Sequence, residues 1–279
     1  MMKLLRAGFR RVFKSIIFWL GLCASLLMGV IVAINTRACQ YLDDAYIMPF
    51  FVIIAIVIAL IIGTEYSDGS FRNKIAAGHS RGSIYFANLI VFLAFSLVAT
   101  LLYLGIFALL MIGHTSTFPT YALIVSAVGF VLVTLSYTVI LLSVSMMISQ
   151  KAINAVVCIL LVLATVFSVY IIDDTLGQWE FIEIITHING EDHVIREPNP
   201  KYIGGTPRKI LQNIKMLMPY GAVISYLEII DPCFADYNIT LELQPEREAQ
   251  LELLPISSFV LSLVAVAAGW LLFRKKELK

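Results

Sequence analysis

The sequence predicts an all-α polytopic membrane protein: six transmembrane helices, both termini cytoplasmic, and a structured extracellular loop between the fifth and sixth spans. Three observations carry this expectation. Of 279 residues, 59% are apolar and only 14% charged, against about 25% charged in an ordinary soluble domain, and the mean hydropathy is +0.88. Six stretches, 15–34, 46–63, 84–112, 121–149, 152–172 and 256–273, contain no Asp, Glu, Lys, Arg or His, as the cost of placing charge in hydrocarbon requires. The segments between them divide the charge unevenly: one side sums to +10, with 13 Lys and Arg, and the other to −9. The basic side is the cytoplasmic one. A soluble enzyme, a disordered chain and a small disulfide scaffold are all excluded by this composition.

Residues 1–14 read as a cytoplasmic interfacial amphipathic helix. Lys3, Arg6, Arg10 and Lys14 fall in one sector at 100° per residue, opposite Leu5, Phe9, Val12 and Phe13. Simple basic flanking of the first span is the plainer alternative, and the two are compatible. A cleaved signal peptide competes for the same residues, but 14 residues are long for its basic region and no small-x-small site follows. Residues 15–172 hold spans one to five. In the first span, Gly21, Ser25, Gly29 and Ala33 recur every four residues, a face that lets helices approach closely. Prolines 49, 119 and 255 fall at the starts of spans two, four and six, where a helix tolerates them. Spans three and four are 29 residues long, about 43 Å, so they must tilt or project from a ~30 Å hydrocarbon layer.

The cytoplasmic loop 64–83 is too short for a domain. Ser67 or Asp68 is positioned to cap a short helix, Gly78 to stop it, and Ser80 or Ser83 to cap the third span. Residues 173–255 form the long extracellular loop. Residues 180–188 and 191–197 around Asn189-Gly190 read as a hairpin. Beyond a Pro/Gly-rich turn at 199–207, apolar residues recur at helical spacing to Met218. Pro219-Tyr220-Gly221 breaks that pattern and residues 222–230 are apolar again. Two arrangements fit: a re-entrant hairpin, or a helical pair packed on the outer ends of the spans. Residues 256–279 are the sixth span and a basic cytoplasmic tail.

Few residues offer chemistry. No Gly-rich stretch ends in Gly-Lys-Ser/Thr, so nucleotide hydrolysis by a P-loop is not expected of this chain. His79, His114, His187 and His193 show no metal spacing, and no metal site is expected. Cys23 and Cys158 lie in spans, whereas Cys39 and Cys233 both fall on the outer side, where a disulfide persists, and are a candidate pair. Thr134, Thr138, Ser145 and Ser149 share a face of the fourth span, and Asn154, Cys158, Thr165 and Ser168 a face of the fifth. These stripes fit either the lining of a translocation path, with Thr134, Thr138, Ser145, Asn154, Thr165 and Ser168 as candidates, or hydrogen bonding between helices.

The most specific signal is Glu65-Tyr66-Ser67-Asp68-Gly69-Ser70-Phe71-Arg72-Asn73-Lys74 followed by Gly78-His79-Ser80-Arg81. This stretch resembles the loop after the second span in the type-2, exporter-type ABC transporter permease family of bacteria, with Ser70-Phe71 where Thr-Ile is commoner. Residues 199–205 and Met218-Pro219-Tyr220-Gly221 are similar to that family's last outer loop, and the layout of six spans agrees along the whole chain. The resemblance implies a plasma-membrane permease subunit without a nucleotide site of its own. Such a subunit works with two separate ATPase subunits that bind ATP and Mg, and with a second permease that is identical or homologous. It also implies that 64–83 acts as the coupling helix, with Glu65, Asp68, Phe71, Arg72, Asn73, Lys74, His79 and Arg81 at the ATPase contact and Arg72, Lys74 and Arg81 exposed. The expected cargo is a peptide, lipid-like or other amphiphilic molecule, antimicrobial peptides included. Two other functions fit six spans: an ion-coupled secondary transporter, which usually needs ionisable groups in its spans, and a membrane scaffold or sensor.

Overall fold

A computed structural model describes residues 2–39, 47–112, 120–188, 191–230 and 245–276 of the chain. Helix α1 (Met2–Lys14) meets α2 (Ile16–Cys39) at an elbow on Ser15. Then follow α3 (Met48–Ser67), the short α4 (Ser70–Ala76), α5 (Arg81–Met111), α6 (Thr120–Met147) and α7 (Lys151–Leu176). Strands β1 (Phe181–Ile188) and β2 (Glu191–Pro198) precede α8 (Gly205–Leu217), α9 (Pro219–Ile230) and α10 (Pro245–Lys275). Among the described residues, six helices (α2, α3, α5, α6, α7 and α10) are long and apolar enough to cross a membrane.

Helix α3 is the centre of the bundle. It is apolar on every face, the pattern of a buried helix, and α2, α6 and α7 surround it. Phe50, Phe51, Ile54, Ile58 and Ile62 are wholly buried on it. Pro49 occupies its first turn, as expected. The small-residue face of α2 closes on α5 and α3. A methyl group on Gly29 would lie 2.6 Å from the Tyr103 carbonyl oxygen, and one on Gly21 would lie 2.5 Å from Val57. That stripe is therefore packing within the subunit. α7 and α10 pack mainly through one side, against α3 and α6 respectively, and leave Val156, Leu160, Phe167, Phe259, Leu263 and Val264 exposed.

The bundle has two unlike ends. The distal end carries the hairpin, paired antiparallel from Phe181↔Pro198 to Ile188↔Glu191, and the α8–α9 pair. Residues 205–230 fold as a helical pair, α8 and α9, that packs on the ends of α3 and α7 and beside α6. Arg208 donates to the Leu176 carbonyl at 2.6 Å, Lys215 pairs with Asp173, and the Tyr220 ring packs against Phe51 of α3. α9 wedges in beside α6, where Tyr226 occupies the space over Gly129. The turn between the two helices demands glycine, because a Cβ on Gly221 would sit 2.1 Å from the Lys215 carbonyl oxygen. The sixth span, Ile256–Lys275, starts where expected, but Pro255 does not start its helix. Its helix begins at Pro245 and runs through Pro255, which is internal and not the first residue. The other, basal end carries α1, α4, the α6–α7 turn and the end of α10.

Candidate functional site

The basal loop between α3 and α5 is a densely bonded polar structure. α3 continues past its apolar run through Glu65 and Tyr66 to Ser67. Gly69 turns the chain in the left-handed region at φ 66°, a conformation that suits glycine. It is also the N-cap of α4. This corrects the expectation for Ser67 and Asp68: Ser67 donates back to the Gly63 carbonyl at 2.7 Å and Asp68 pairs with Arg11 at 3.1 Å, so neither caps. α4 ends as expected at Gly78, φ 83°. There His79 N–H reaches the Lys74 carbonyl and Gly78 N–H that of Ile75, the doubled bond of a Schellman ending. Ser80 caps α5 by accepting from Ser83 N–H at 3.2 Å.

Two features pin α4 to the bundle. The first is electrostatic. Glu65 is 3% exposed and lies between two cations, Arg11 at 3.3 Å and Lys74 at 2.8 Å. It thus joins α1, α3 and α4. The second is aromatic. Phe71, 1% exposed, packs its ring 4.4 Å from Tyr66 and 6.0 Å from Phe273 of α10. The end of α10 closes the arrangement. Lys276 donates to Tyr66 Oη at 2.8 Å and to the Met146 carbonyl at 3.1 Å, Tyr66 itself donates to Met146, and Arg81 donates to the Arg274 and Lys276 carbonyls. Burial lowers the Lys276 pKa to about 8, because a charged ammonium loses hydration there.

The sequence-predicted residues therefore separate into two groups. Glu65, Phe71, Lys74 and Arg81 face the bundle and hold the loop; Arg72 and Asn73 are exposed, Asp68 is exposed on the α1 side, and His79 is half-buried. The expectation that Lys74 and Arg81 stand free is corrected: a buried carboxylate and the open carbonyls of the α10 terminus take them up. Arg72 has no acidic partner among the described residues. Beside it runs a groove of about 490 Å³ between α4 and the α6–α7 turn, bordered by Gly69, Arg72, Ser149, Gln150 and Lys151. Arg11, Tyr66 and Lys276 belong to the site and were not among the expected contact residues. Tyr66 lies within the motif itself, and the basic character of residues 1–14 and of the tail hinted at the other two.

Several residues of the polar stripes hydrogen-bond between helices. Thr134, Thr138, Ser145 and Asn154 are fully buried. Thr138 bonds Ser96 of α5 at 2.5 Å. Asn154 donates to Ser145 at 2.7 Å and to the Ala59 carbonyl of α3 at 3.0 Å. Thr165 bonds Tyr137 at 2.5 Å, and Ser168 returns to the Ala164 carbonyl of its own helix at 2.7 Å. A path lining needs side chains that face an opening, and four of these six face their neighbours. The candidate pair Cys39 and Cys233 lies outside the described side chains. Among the described residues, no three His, Cys, Asp or Glu side chains converge as a metal site would need.

No family model and no curated protein matches the chain. The fold itself defines an α-helical multi-pass membrane protein.

Proposed function

We propose that the chain is the membrane-spanning permease subunit of an ATP-driven exporter in a bacterial plasma membrane, with its basal end and both termini in the cytoplasm. The observation that carries this reading is α4. It is a seven-residue helix between two spans, pinned by Glu65 and Phe71 on one side and presenting Arg72 and Asn73 on the other. A short helix that protein contacts hold from within, yet that offers an exposed cation outward, suits the transmission of rigid-body motion from a separate subunit. The 65–81 stretch, which resembles the coupling loop of type-2 ABC permeases, supports the same role. Two ATPase subunits would bind ATP and Mg and seat α4 in a groove, and a second permease would complete the assembly along the exposed apolar faces. ATP-driven closure would then tilt α3 and α5, the two spans that α4 joins. Nucleotide shifts that equilibrium only through contacts that differ between the two states.

The experiment is co-purification of the tagged chain with an ATPase subunit encoded beside it, followed by ATP-dependent transport in reconstituted vesicles. Arg72→Glu reverses the exposed charge without touching the pinned side. It is expected to lower ATPase recovery at least tenfold while the melting temperature stays within 2 °C, since surface substitutions usually stay within about 0.5 kcal/mol. Solute transport by the purified chain with no nucleotide present would overturn the proposal.

A further inference from the structure

A second basal feature is separate from α4. α1 contains no acidic residue. It buries Leu4 and Val12, and its Gly8 packs against Val91 of α5. Lys3, Arg6, Arg10 and Lys14 occupy an ~80° sector of the helix and are exposed. None has an acidic partner among the described residues. These four cations border a groove of about 980 Å³ that follows α1 and has Ile17 of α2 and Ile61 of α3 along its floor. Arg11 also borders it but is taken up by Glu65 and Asp68. Beyond the elbow, α2 exposes Ile16, Trp19 and Leu20, so the apolar floor continues onto an apolar outer surface.

We infer that this groove is a binding site for an anionic phospholipid, with the headgroup phosphate among Lys3, Arg6, Arg10 and Lys14 and an acyl chain along Ile17 and the exposed face of α2. Charge decides the headgroup: four clustered cations with no acidic partner among the described residues attract a phosphate and give a zwitterionic lipid no comparable gain. The apolar floor decides between lipid and free phosphate, since an inorganic ion would desolvate against Ile17 and Ile61 without gaining a contact from them. A helix merely lying on a bilayer would attract anionic lipid diffusely. Here the groove between α1 and the span ends confines it to one place. The inference does not depend on the transport reading, because it concerns only this chain and its bilayer.

The test uses the full chain purified in a neutral detergent, with native mass spectrometry counting retained lipid during titration with dioleoyl phosphatidylglycerol, dioleoyl phosphatidylcholine or inorganic phosphate. At about fivefold per cation, Arg6→Gln with Arg10→Gln is expected to weaken phosphatidylglycerol retention about 25-fold. Arg6→Lys with Arg10→Lys should retain it. Arg37→Gln removes one charge at the distal end of α2 and should leave it unchanged. Because the Lys pair keeps the charge, it reads the site even where the Gln pair folds poorly. Equal retention of the two lipids, loss in Arg37→Gln comparable to that in the Gln pair, or displacement of the lipid by millimolar phosphate would each overturn the inference.

Discussion

Glu65 is where the sequence motif and the fold meet, and its removal has a magnitude that can be worked out. The carboxylate touches Lys74 at 2.8 Å and Arg11 at 3.3 Å. At an effective dielectric near 20, each contact is worth roughly 5–6 kcal/mol of Coulomb attraction, offset by the several kcal/mol per ion that dehydration costs. Removing one partner of a fully buried pair costs about 3–5 kcal/mol. Arg11 and Lys74, however, keep 29% and 18% of their side-chain surface and can turn toward water, which roughly halves the cost. Glu65→Gln is therefore expected to weaken the attachment of α4 by about 2 kcal/mol, while the Tyr66–Phe71–Phe273 packing remains. Local opening is the quantity to measure. Amide hydrogen exchange over 70–78 should accelerate about 30-fold, with spans α6 and α10 unchanged. Combining Glu65→Gln with Lys74→Met should cost less than the sum of the two, since both break one contact. If 70–78 exchanges at the wild-type rate while the whole protein melts earlier, Glu65 supports the bundle at large and the pinning argument fails.

Three further outcomes follow from the geometry. Folding lowers the Lys276 pKa from 10.5 to about 8, so between those values the unfolded chain holds a proton that the folded chain has released. Stability should rise by on the order of 1 kcal/mol as pH climbs from about 8 to 10.5, discounted because solvent still reaches the group; the slope should vanish in Lys276→Met, as read by melting in detergent. Gly29→Ala places a methyl 2.6 Å from a backbone oxygen, whereas Gly105→Ala meets nothing within 4 Å. The first should lose about 1–3 kcal/mol and the second essentially none, and equal melting temperatures would contradict the close packing of α2 on α5. Asn154→Leu removes the bonds to Ser145 and Ala59 and should cost about 1 kcal/mol, the scale of such bonds in bundles, with cargo selectivity in vesicles unchanged. An altered selectivity would favour the fourth and fifth spans as path lining.

Much of the architecture was legible because hydrocarbon imposes one-dimensional rules. Charge-free runs of about 20 residues, Pro49 at the start of α3 and an Asn-Gly turn are local signals, and each names its element without reference to the rest of the chain. The boundaries were less legible. α3 carries Glu65 inside its last turn because Arg11 and Lys74 neutralise it, and α7 runs through Asp173 because Lys215 does the same. Arg11 and Lys215 are far in sequence from the carboxylates they meet, and Lys74 lies nine residues beyond Glu65 on another helix, so hydropathy alone ends the spans early. The stripes on α6 and α7 show the same blindness. A hydroxyl every three or four residues reads identically whether it faces a path or a neighbouring helix, and only the positions of Ser96 and Ala59 decide.

The sequence by itself determined that this is a helical bundle of six apolar spans with one basic and one acidic set of connections, since burying charge in lipid costs too much for any other assignment. It also marked residues 65–81 as the loop of interest. Tertiary structure alone decided which side chains of that loop hold it and which face outward. Lys74 and Arg81 are as basic as Arg72 in the sequence, but a buried carboxylate from α3 and the open carbonyls at the end of α10 claim them. Pairing of that kind depends on distances in space, and the chain's linear order does not encode them.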